Sequence, residues 1–183
     1  KINTFSVDFG QDKEMTFKYS VMGASREQDG TSYDAAAKAA KLLRIAQNHA
    51  YVKIDGTESR IVKEGALEIN ANLDGDQYVV GGGGLRGDIP EGLMKVSGSL
   101  KALFVSTEWM DKADTGAAVA MEIGFKLDEN TSLVFAMPTV QFEPFDAQIS
   151  GPAGVVVEVK WRAYSEGGKS IVTATLKNQQ KEY

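Results

Sequence analysis

A single histidine, His49, and a complete lack of cysteine set the first limits on the chemistry this chain can perform. Without cysteine there is no disulfide scaffold, thiol nucleophile, iron–sulfur cluster or Cys-ligated zinc. One imidazole leaves no room for multi-histidine metal sites and takes a His-paired triad out of its usual setting. His49 closes a helix-forming stretch, where positive charge is favoured, and a capping role accounts for it without a catalytic partner. Carboxylates remain as acid–base candidates. Asp74 and Asp76 flank Gly75, and Asp128 and Glu129 adjoin Asn130. Turn chemistry explains both pairs. The Asp74-Gly75-Asp76 run lacks the further ligands of an EF-hand loop. No spacing of acids points to the converging pair a hydrolase needs.

Two stretches imitate nucleotide sites. Ala163-Tyr164-Ser165-Glu166-Gly167-Gly168-Lys169-Ser170 fits a permissive phosphate-loop pattern. That chemistry needs a helix after the loop, so that its first amides face phosphate. The residues that follow, Ile171-Val172-Thr173-Ala174-Thr175-Leu176, are β-branched and alternate, so they read as a strand. Gly82-Gly83-Gly84-Leu85-Arg86-Gly87 has dinucleotide-loop spacing, but Asp88-Ile89-Pro90 follows and opens no helix. Asn130-Thr131-Ser132 is a formal glycosylation sequon, which carries no weight without a signal peptide. The expectation is a protein with no enzymatic activity, no cofactor and no metal.

The residues that remain must be positioned by a core. With 183 residues, 43% apolar and 25% charged, the chain suits one soluble globular domain. A net charge of −5 disfavours tight reading of nucleic acid, which needs clustered Lys and Arg. No apolar run approaches the roughly 20 residues that span a bilayer. The start, Lys-Ile-Asn-Thr-Phe, has no apolar signal segment and no Met. The chain is therefore read as one domain over 1–183, standing alone or as the C-terminal part of a longer protein.

Alternation supplies most of the elements. Phe5, Val7 and Phe9 share one face of a strand over 4–9, and Met15, Phe17, Tyr19 and Val21 share one face over 15–22. The short turn between them makes an antiparallel hairpin. Residues 33–49 form good helix, with Ala35, Ala39, Leu42, Leu43 and Ala46 in an apolar stripe. Further strands are expected at 50–54, 60–63, 66–72, 93–104, 117–127, 131–136, 138–142, 146–149, 154–163 and 169–177. A helical turn is expected from Ser106 or Thr107 to Ala113. Residues 74–92 read as a long mobile loop around Gly81, Gly82, Gly83 and Gly84. The fold class is mainly β (α+β): an antiparallel β-sandwich of two packed sheets flanked by one α-helix. Trp161 belongs to the inward row of its strand. Trp109 anchors the short helical turn or serves a subunit interface.

The order of residues after position 66 resembles that of siphophage tail tube proteins. Asn72-Leu73, Tyr78-Val79, Arg86, Gly92, Val96, Gly98 and Ser99 follow the family's progression. Pro138, Val140 and Phe142, then Ile149 to Gly154, Ala163-Tyr164 and Leu176-Lys177-Asn178 resemble its closing strands. The likeness covers about 66–178. It implies a self-assembling structural subunit, made in the bacterial host cytoplasm and residing in the virion tail. Such a subunit forms stacked hexameric rings with itself, contacts other tail proteins, and passes DNA without binding it specifically. Tyr78, Gly81 to Gly84, Leu85 and Arg86 are then candidates for an inter-subunit stacking loop, and Trp109 for an interface aromatic. The implied lumen would repel phosphate with negative charge. The alternatives are a phage or bacterial cell-surface or carbohydrate-binding β-sandwich, and a related secretion-system tube protein.

Overall fold

Period-two alternation gives ten strands in the computed structural model, which describes residues 1–10, 13–25, 28, 30–31, 36, 45–147 and 154–179. In chain order they are β1 (Ile2–Gly10), β2 (Lys13–Val21), β3 (Ala50–Ile54), β4 (Thr57–Ser59), β5 (Val62–Asn70), β6 (Lys95–Leu103), β7 (Val119–Lys126), β8 (Ser132–Phe142), β9 (Val156–Ala163) and β10 (Thr173–Lys177). The one α-helix among the described residues is α1 (Glu108–Thr115). Every strand pairing is antiparallel.

The ladder runs β2-β1-β5-β6-β9-β8-β7-β3-β4, with β10 also on β8. The expected mainly β fold is therefore present, and its two layers are halves of one continuous sheet. The first layer is β2-β1-β5-β6-β9. The second is β10-β8-β7-β3-β4. They fold onto each other, so that Phe9 of β1 meets Phe125 of β7 edge to face (5.5 Å) and Phe5 meets Phe135 of β8 (5.8 Å). Leu67, Leu100, Val159 and Trp161 from the first layer and Ile123, Phe125, Met137 and Val140 from the second are essentially sealed from solvent. A fully buried side chain of this size contributes about 1.5–3 kcal/mol, so this shared interior is what holds the layers together.

The corner lies in β8. Phe135 and Met137 face the core at odd positions, whereas Val140 and Phe142 do so at even ones. The switch coincides with a register irregularity opposite Val119 to Met121. Pro138 has no amide to give the ladder, so the extra residue is accommodated there as a bulge. Before the bulge β8 carries β10. After it, Val140–Phe142 pair with Trp161–Ala163 of β9. The two strands expected at 131–136 and 138–142 are thus one bent strand.

Three expectations need correction or fall outside the description. Most of the helix expected at 33–49 lies outside the described residues. Its described end, 45–49, is not α-helical, and Gln47–His49 form a single 3-10 turn before β3. His49 does not cap a helix C-terminus. Its Nδ1 accepts the Ala46 amide (3.1 Å) at the turn's beginning. Of the strand expected at 146–149, residues 146–147 have no regular structure and the remainder lies outside the described residues.

Candidate assembly surfaces

The loop at 74–92 is built by local hydrogen bonds and then tied to the first layer. Asp74 closes an Asx turn on the Asp76 amide (3.0 Å), and this amide, followed by Gln77, draws the Asp74 carboxyl below its ordinary range. Tyr78 and Arg86 form an antiparallel bridge, and the Gly87 amide donates to Gln77 O (2.9 Å). Between them the chain reverses through Gly81, Gly83 and Gly84, whose φ values of 85°, 62° and 83° favour glycine. At Gly82 and Gly87 the need for glycine is steric, since an added Cβ would stand 2.8 and 2.5 Å from the Val79 methyls.

Arg86 fastens this hairpin. Its Nε donates to Gly75 O, its Nη1 donates to Gly23 O (2.7 Å) just beyond β2, and its guanidinium lies 5.3 Å from the centre of the Tyr78 ring. Lys1 donates to Ile89 O (2.8 Å), and Asn3 accepts the Leu73 amide (2.9 Å). Leu73 and Ile89 are buried beneath. The loop's tip is apolar and faces solvent: Val80 is fully exposed, and Tyr78, Val79 and Leu85 are about half exposed. The structure thus brings together Tyr78, Gly81 to Gly84, Leu85 and Arg86 in one projecting hairpin.

Trp109 stands apart from that hairpin. It is half-buried on α1, with its ring 5.7 Å from Phe142. Gly116 ends α1 in the left-handed conformation (φ 65°). The helix is clipped to the β3–β4 turn by Lys112, which pairs with Asp55 (3.1 Å) and Glu108 (3.0 Å). Partial burial pushes the Asp55 carboxyl up, but the Ala120 amide and Lys112 together outweigh it and hold it below its ordinary value.

A third surface was not anticipated from the sequence. β2 is the outer strand of the first layer, and its apolar row is left largely in solvent: Phe17 is 37% exposed, Tyr19 60% and Val21 69%. Phe5 stacks on Phe17 (5.8 Å) and touches Tyr19 (5.1 Å), so the row continues the core outward. The Met15 amide, directed away from β1, reaches Ile45 O (3.2 Å). Phe17 and Tyr19 point their backbone groups the same way by alternation and find no partner among the described residues. Local alternation announces the apolar row, but not that β2 would lie at an edge.

No cluster of three or more metal-ligating side chains occurs among the described residues. The Lys169 turn bonds back to Glu166 O (3.1 Å) and leads toward β10, not a helix. These features define a class: a mainly β structural protein that presents an ordered apolar hairpin and an outer strand whose Phe17 and Tyr19 backbone groups have no partner among the described residues. Residues 1–163 match the family described as phage tail tube protein, and the chain belongs to that family. The match takes in the N-terminal hairpin as well as most of the region whose motifs carried the resemblance. No curated protein matches the chain. The chain is accordingly a structural tail tube protein, a component of the virion tail.

Proposed function

We propose that this protein works by polymerising: copies join laterally into hexameric rings, the rings stack, and the resulting tube conducts DNA during ejection. The observation that carries the reading is the edge of β2. Among the described residues, Phe17 and Tyr19 leave outward backbone groups of β2 without a partner beside a solvent-facing aromatic row, an aggregation hazard in a monomer that an identical neighbour would relieve. A head-to-tail contact of this kind closes into a ring when its rotation fits. The hairpin 74–92 supports stacking, because its exposed Val79, Val80 and Leu85 project from an ordered base. Synthesis in the host cytoplasm, followed by assembly with other tail proteins, completes the proposal.

Negative-stain microscopy of concentrated protein tests it. Rings and tubes are expected for the wild type, and Phe17→Asp/Tyr19→Asp should give folded monomers only. Tubes that persist in this variant would remove the edge assignment. Wild-type protein that stays monomeric at all concentrations would remove the proposal.

A further inference from the structure

Strand β6 has an apolar surface at each of its two ends. The hairpin 74–92 leaves the sheet before Lys95, and its tip exposes Val79, Val80 and Leu85. At the other end Leu103 pairs with Val156 of β9, and both face solvent, followed by an exposed Val105. Gly154 leaves this patch uncovered, since even an added Cβ there would stand 4.0 Å from a Leu103 methyl. A strand of nine residues spans about 27 Å from first to last. The Arg86 bond to Gly23 O keeps the hairpin at its own end. Tip and patch therefore meet only between two copies.

Charge decides which ends can join. The hairpin sets Asp74, Asp76, Asp88 and Glu91 against Arg86, four acids to one cation within 74–92. Asp76 and Asp88 are exposed, and of the four acids Glu91 is held by Lys1 (3.5 Å). Tip-to-tip contact would bring two such acidic loops together, and like charges across an interface oppose association. The far end is different. Ile61 O accepts the Leu103 amide (2.9 Å), so Arg60 lies next to the patch, and it shares a recess with Lys63 and Glu58. Lys101 there is bonded to Glu64 (3.4 Å), whereas Arg60 and Lys63 have no ion-pair partner among the described residues. The apolar recess of the second layer, lined by Ala120, Ala136 and Pro138, offers the loop less, because its Lys53 is already held by Glu122 (2.9 Å).

We infer that the hairpin tip of one copy seats on the Leu103, Val105 and Val156 patch of the next, so that copies stack head to tail with a single polarity. This rests on the stacking role proposed above and adds the surface that receives the hairpin. Val79, Val80 and Leu85 leave water against the patch, while Asp76 and Asp88 approach Arg60 and Lys63. The contact joins unlike surfaces. Each added copy keeps a free tip at one end and a free patch at the other, so the stack can grow without limit.

Engineered thiols read the contact, because the chain has no cysteine of its own. Tubes assembled from a mixture of Val80→Cys and Val156→Cys proteins should give a covalent dimer with a short bis-maleimide. Val80→Cys protein alone, or mixed with Ala136→Cys protein, should give at least tenfold less. Cross-linking from position 80 to 80 or to 136 at the same level, or no link to 156 in visible tubes, would overturn the inference. Arg60→Glu/Lys63→Glu should shorten the tubes at least tenfold, and Asp76→Lys/Asp88→Lys in the same chain should restore them. Arg60→Gln/Lys63→Gln replaces the reversal if that variant folds poorly. Tubes of wild-type length in the double variant, or no recovery in the quadruple one, would overturn the charge pairing. Tubes with the wrong cross-links sink this inference alone. Protein that never forms tubes sinks it together with the stacking role.

Discussion

Arg86→Ala should loosen the apolar hairpin without unfolding the domain. The part-buried bond to Gly75 O contributes about 2 kcal/mol as a charge-assisted bond, and the exposed bond to Gly23 O about 1 kcal/mol. Contact with the Tyr78 ring adds about 0.5 kcal/mol. Water compensates part of this once the side chain is gone, which leaves a net loss of about 3 kcal/mol in the docking of the loop. At 1.4 kcal/mol per factor of ten, the open population rises on the order of 100-fold. Amide exchange of the monomer reads this directly, because the Gly82, Leu85 and Gly87 amides are bonded inside the loop. Their protection should fall about 100-fold, while Leu67 and Leu100 in the interior keep theirs. Arg86→Lys should fall between, since an ammonium cannot serve both carbonyls with the same fork. Unchanged protection of all three glycine-loop amides would refute the view that Arg86 orders the hairpin.

Gly98→Ala should destabilise the domain by about 3 kcal/mol in urea unfolding, because the added Cβ would stand 2.0 Å from Ala66 O and 2.5 Å from the Trp161 ring. Glu122 is held below its ordinary carboxylate range by the Tyr51 hydroxyl, with burial opposing and Lys53 assisting. Its stabilisation is therefore present above the unfolded value of about 4.3 and disappears as pH falls through the folded one. Glu122→Gln should flatten the acid limb of stability measured against pH. Tyr51 is pushed up to about 12, first by burial and then by Glu122, so its contribution holds below about pH 10 and vanishes as pH rises toward 12. Tyr51→Phe should remove the latest component of the ultraviolet tyrosine titration. Deleting residues 80–88 should leave a folded monomer that forms no stacked tubes, which sizing and microscopy would check.

Much of the fold was legible because alternation is a local signal. Phe5-Val7-Phe9 and Val157-Val159-Trp161 declare their inward rows by period two, and α1 begins within two residues of the expected position. What lay beyond local reading was set by neighbours distant in sequence. Nothing near Phe17 or Tyr19 distinguishes an edge strand from an inner one, yet β2 has no second strand neighbour in the ladder among the described residues. Likewise Pro138 reads as a break between two strands, and only pairing with both β10 and β9 shows one strand turning a corner. The glycine run at 81–84 reads as mobile, because four glycines offer no side chains to hold them. The restraint comes from Arg86 and from Gly23, 63 residues away along the chain. The residues of the hairpin were picked out by their motif, whereas the aromatic edge needed three-dimensional placement.

The junction between β8 and β9 has a mechanical corollary. Only three residue pairs join the strands there, whereas β6 and β9 share eight. The ladder between the two halves of each subunit is thus a narrow strap, and the side chains packed between the layers carry the rest of the connection. In the proposed tube, bending would be shared as small shifts along this strap in many copies, with the packed interior as the spring that opposes them. Curvature would then be an elastic property of the subunit itself, recoverable when the load is released.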